Sequence, residues 1–244
     1  RIIGCIWETG LANEFCWGYD AFYPQIEDQY VVNFLSKKAE KYQLENKKET
    51  PQAIRSNAEN GILREIDKAC RARDIWGNFG FHQGTMTYAA VVLDDPNDTP
   101  NMLEWVFQSG GPNGTHSNTG GNVFAQIMNI VSRDGIGNES APDYNGIWVS
   151  HPMSLTGAIV RYGKYPEYNL FNNAKYMKMF YGMAPLTTTR NATVNIGDSG
   201  NCASTDLDFI YPSTALKGYQ YTKDPRMAQI VYLLNKGDLS NVHY

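Results

Sequence analysis

DQYVVNFLSKKAEKYQL, residues 28–44, places Tyr30, Val31, Phe34, Leu35, Ala39 and Tyr42 at spacings of three and four. That period gathers the apolar side chains on one side of an α-helix and leaves Lys and Glu on the solvated side. The same period extends in both directions. Upstream, Ile6, Leu11, Phe15, Trp17, Tyr19 and Phe22 predict a helix ended near Pro24. Downstream, Thr50-Pro51 reads as an N-cap followed by proline at the first helical position, ahead of a periodic stretch over 54–72. Further helices are predicted over 79–93, 101–108, 122–132, 146–161, 168–182 and 225–236. Asp94-Asp95-Pro96-Asn97-Asp98 stops the first of these. Polar, glycine-containing loops are expected at 109–121 and 133–145, and 184–224 reads as irregular. No strand alternation is visible. The fold class expected is all-α: antiparallel helical hairpins in one domain over 1–244, arranged as an incomplete (α/α) toroid.

The composition narrows the function. Apolar residues make up 42% and charged residues 19% of 244, which excludes a disordered chain. A formal charge of −4 gives no basic footprint for nucleic acid, and no apolar run is long enough to span a membrane. Cys5, Cys16, Cys70 and Cys202 form no Cys-x-x-Cys pair, so a structural zinc site is not expected and the thiols read as free and buried. The chain opens Arg1-Ile2-Ile3-Gly4 and runs straight into helix-compatible sequence, as a piece of a longer chain or a processed form would.

Histidine occurs four times, and only His82 has suggestive neighbours, in Trp76-Gly77-Asn78-Phe79-Gly80-Phe81-His82. Asn78 and His82 share a helix face if the helix already runs through Asn78; otherwise Asn78 is a cap. A second cluster, Arg133-Asp134-Gly135-Ile136-Gly137-Asn138-Glu139-Ser140-Ala141-Pro142-Asp143-Tyr144, sets a carboxylate and a tyrosine after a glycine-rich turn. Such a tyrosine can act as acid or base when neighbouring groups stabilise its phenolate. Nucleophile elbows, phosphate-binding loops and zincin motifs are missing. Asp95, Asp134, Glu139 and Asp143 are candidates for a carboxylate pair, which needs no local motif. Asn97, Asn113, Asn138 and Asn191 begin Asn-x-Ser/Thr triplets, which would be glycan acceptors only in a secreted eukaryotic protein.

Taken together, Asn78 to His82 and Asp134 to Tyr144 resemble the toroid of heparinase II/III-like polysaccharide lyases. In that family an Asn or His on an inner helix precedes a loop of the form DG…E…Y that carries a catalytic tyrosine. Here Tyr144 follows His82 by 62 residues, within the interval seen in the family. Asn195-Ile196-Gly197-Asp198-Ser199 and Trp17-Gly18-Tyr19-Asp20-Ala21 are similar to stretches near the end and the start of that toroid. The resemblance implies β-elimination on a uronic-acid polysaccharide, with Tyr144 as the acid/base group, general acid toward the leaving oxygen, and Asn78 and His82 on the uronate carboxylate. It further implies substrate contacts from Glu139, Arg133, Trp76 and His151, with Arg161 and Arg190 as other cations for a polyanion. No metal or organic cofactor is called for. The expected partners are an acidic polysaccharide or oligosaccharide and a β-sandwich domain from the same parent chain, in a periplasmic or secreted setting. A helical-toroid glycoside hydrolase and a non-catalytic glycan-binding domain remain as alternatives.

Overall fold

The computed structural model describes residues 2–111, 120–139, 141–187, 193–194, 196–197, 210–238 and 240. The chain is mostly helical, as an all-α fold requires. It divides into two compact units, one of residues 1–77 and 81–121, the other of residues 78–80 and 122–244.

The first unit is built around α5 (Phe81–Leu93), which packs against α1 (Trp7–Phe22), α4 (Arg64–Ala72) and α6 (Asp98–Glu104). Almost every residue from His82 to Ala90 is buried, so this helix has no solvated stripe. Its two buried threonines bond to carbonyls one turn back. The Thr87 hydroxyl donates to the Gln83 carbonyl at 2.8 Å, and that of Thr85 donates to the Phe81 carbonyl at 3.2 Å. α3 (Pro51–Ala58) begins as expected, with the Thr50 hydroxyl accepting from the Ala53 N–H at 3.1 Å. It runs into α4 through a π-turn at Glu59–Leu63. Arg64 then reaches Asp98 at 2.6 Å and Asp95 at 3.3 Å, tying α4 to the start of α6. The helix α2 (Gln29–Lys41) buries only Val32 and Ala39. Two short strands, β1 (Gly4–Cys5) and β2 (Ile75–Trp76), pair in parallel. Two residues are too few to show alternation, which is why no strand was predicted.

The second unit is organised by α8 (Pro142–Tyr162) with α7 (Val123–Ile130), α9 (Ala174–Met179), α10 (Pro212–Thr222) and α11 (Pro225–Leu234). α8 starts four residues before the predicted boundary, because Pro142 occupies its first turn and favours that start. Tyr144 therefore stands on a helix rather than in a loop. Pro152 interrupts the α8 hydrogen-bond ladder, and the Tyr176 hydroxyl donates to the neighbouring Val149 carbonyl at 2.8 Å. α10 lies in the stretch expected to be irregular. It buries only the small side chains Thr214 and Ala215 together with Gly218, so it shows no apolar period.

Cys16 and Cys70 are buried free thiols and Cys5 is a half-buried one; Cys202 lies outside the described residues. No helix among the described residues is long and apolar enough to cross a membrane.

Candidate functional site

Trp148, fully buried on α8, is the meeting point of three segments of the second unit. Phe79 lies over its indole with ring centroids 4.7 Å apart. Gly137 approaches so closely that an added Cβ would stand 3.0 Å from the indole ring. The third segment is α8 itself, where Tyr144, Trp148 and His151 recur at helical spacing along one stripe. Gly80 rests on the same stripe: a Cβ there would lie 2.6 Å from the His151 Cβ and 2.7 Å from Pro152. Its φ of +93° independently favours glycine. Phe79 and Gly80 are thus seated along the helix that carries Tyr144.

The glycine-rich loop is held by Asn145, which is nine-tenths or more buried. Its Oδ1 accepts from the Gly137 N–H at 2.6 Å. Its Nδ2 donates to the carbonyls of Glu139 and, at 3.2 Å, Ala141. Gly135, with φ of +93°, lets the loop pass against the Lys178 carbonyl, and the Lys178 ammonium donates to the Arg133 carbonyl at 3.5 Å. One side chain therefore sets the path of the backbone from Gly137 through Glu139 to the start of α8.

Of the seven predicted site residues, Asn78, Arg133, Glu139, Tyr144 and His151 belong to this second unit. Asn78 stands in the turn before α5 and not on the helix, so the face it was expected to share with His82 does not exist. Gly80, with its positive φ, separates the two and prevents the helix from starting earlier. Asn78 is half-buried. Arg133 is exposed and Glu139 is half-buried.

His151 is mostly buried, and desolvation lowers its pKa from 6.5 to about 4, so its imidazole is neutral at neutral pH. It can donate or accept a hydrogen bond there, but it offers no cation to a carboxylate. Tyr144 and Asp143 occupy the first turn of α8, where the partial positive charge of the helix end favours negative charge.

Trp76 and His82 belong to the first unit. Trp76 is exposed on β2. His82 is fully buried, with its Nε2 3.0 Å from the Gly120 carbonyl, which also accepts from the Gln83 amide at 2.8 Å. The two side chains thus hold the Gly120 carbonyl. Residues 112–119 and Arg190 lie outside the described residues, as do Asn195, Asp198 and Ser199 of the late motif.

Sequence reasoning missed Trp148 and Asn145. Their one local signal was position, since Trp148 falls one turn beyond Tyr144 and Asn145 directly follows it. Among the described residues, no group of three His, Cys, Asp or Glu side chains is placed to hold a metal ion. Compared with family models, curated proteins and solved structures, the chain gives no match.

Proposed function

We propose that the chain is the toroid portion of a polysaccharide lyase that cleaves a uronic-acid-containing polysaccharide by β-elimination. The observation that carries this reading is the seating of Phe79 and Gly80, the two residues after Asn78, on the α8 stripe of Tyr144 and His151, through Phe79 on Trp148 and Gly80 on His151. It supports the pairing of an amide donor with a tyrosine that the sequence resemblance implies.

In the proposed reaction a base takes the C5 proton of the uronate, and the electron pair left behind forms the C4–C5 double bond. The C4–O bond breaks, and Tyr144 protonates the departing glycosidic oxygen. Asn78 donates a hydrogen bond to the uronate carboxylate, where charge builds as the C5 proton leaves. Donors aimed at developing charge are the largest single source of such rate enhancement. Neutral His151 serves the same sugar as a hydrogen-bonding partner, while Arg133 supplies positive charge toward a polyanion. A β-sandwich domain from the parent chain and a periplasmic or secreted setting belong to the same proposal.

The test is Tyr144→Phe, in the parent protein, on a panel of uronic-acid polysaccharides. Elimination leaves a 4,5-unsaturated uronate that absorbs in the ultraviolet. The variant is expected to lose about 10²–10⁴-fold in rate while binding stays nearly unchanged. Equal loss of binding and turnover would remove Tyr144 from its role. New reducing ends without ultraviolet absorbance would favour hydrolysis by a carboxylate pair, and binding without turnover would favour a glycan-binding domain.

A further inference from the structure

The first unit leaves two helix faces uncovered, and they match. On α1, Trp7, Leu11, Glu14 and Gly18 recur at spacings of four, three and four, and Trp7 and Leu11 are 83% and 70% exposed. On α2, Tyr30, Phe34, Lys37 and Lys41 recur at the same spacings, and Tyr30 and Phe34 are 77% and 49% exposed. Each set forms one straight stripe along its helix. Beside the α1 stripe lies a groove of about 550 Å³ lined by Leu11, Phe15, Gly61 and Ile62 together with the carboxylates Glu8 and Glu14. The π-turn at Glu59–Leu63 forms its far wall, where Gly61 has open space in place of a side chain.

The charges decide what fits. α1 carries Glu8, Glu14 and Asp20 and no basic residue, so packing α1 on another α1 would set carboxylate against carboxylate. α2 presents Lys37, Lys38 and Lys41 beside its aromatic pair. Laid parallel, the two stripes put Trp7 and Leu11 against Tyr30 and Phe34, and Glu14 against Lys37. Laid antiparallel, the charges fall opposite apolar residues. Exposed apolar patches of this kind mark interaction sites, and complementary charge sets their register.

We propose that this surface binds a second copy of the chain, with α2 of one copy lying in the α1 groove of the other. Each copy offers both faces, so the contact closes twice in a two-fold dimer or once per copy in a ring or filament.

Sedimentation equilibrium over a wide concentration range tests this. The wild-type chain is expected to self-associate reversibly. Glu14→Lys and Lys37→Glu, each alone, place like charges in the contact and are expected to weaken association about tenfold or more. An equimolar mixture of the two variants restores opposite charges at every contact and should associate like the wild type, as should the double variant alone. All these positions are exposed, so circular dichroism should show unchanged folding. A wild-type chain that stays monomeric would overturn the proposal. So would association that ignores both reversals, or single variants that are not rescued by mixing.

Discussion

Gly80 is the residue on which the close approach of the 79–80 turn to α8 depends most directly. Its φ of +93° and the 2.6 Å approach of an added Cβ to His151 leave no room for a side chain. Gly80→Ala is expected to destabilise the protein by about 2–4 kcal/mol, and thermal unfolding would measure it. His151 makes a prediction in pH. Its folded pKa of about 4 lies below the ordinary 6.5, so the unfolded chain takes up the proton first. The burial of His151 is thus tolerated above pH 6.5 and costs stability as pH falls toward 4. The loss reaches at most about 3 kcal/mol. Melting curves between these limits should be flatter for His151→Gln than for the wild type. These two residues also mark a limit of local reading. Gly80 looks like any glycine before a helix until Pro152 and His151 are placed against it, and the shift at His151 comes from burial, which the folded chain alone creates.

Helices and their ends follow local rules more closely. Thr50 and Pro51 mark the start of α3 in the sequence, and the hydroxyl bond to Ala53 is the physical form of that signal. Thr50→Ala is expected to cost about 1 kcal/mol, read from chemical denaturation. Asn145 tests the loop instead. Replacing it with Ala leaves the Gly137 N–H and the Glu139 carbonyl without their partner in a partly buried setting. A loss of about 3 kcal/mol is expected, with faster amide hydrogen exchange at Gly137. Where sequence reading failed, it failed for want of a period. α10 packs through Thr214, Ala215 and Gly218, which no hydrophobic template singles out. The early start of α8 was marked only by Pro142, and a polar loop composition outweighed that single proline.

Across the whole molecule, the two units place the predicted site residues unequally. Asn78, Arg133, Glu139, Tyr144 and His151 fall in one unit, Trp76 and His82 in the other. The proposed elimination therefore rests on the first five. His82→Ala removes a buried ring and its contact with Gly120, so stability should fall by about 2–4 kcal/mol, as thermal melting would show. The sequence by itself determined the all-α class, most of the helices and the capping of α3, because a 3.6-residue period and a cap are properties of neighbouring residues. Only the tertiary structure decided that Trp148 gathers three segments, that His82 is buried beneath Gly120, that His151 is held neutral and that α1 and α2 present uncovered faces. Each of these depends on which distant residues exclude water from a side chain, and that is set by packing rather than by any local pattern.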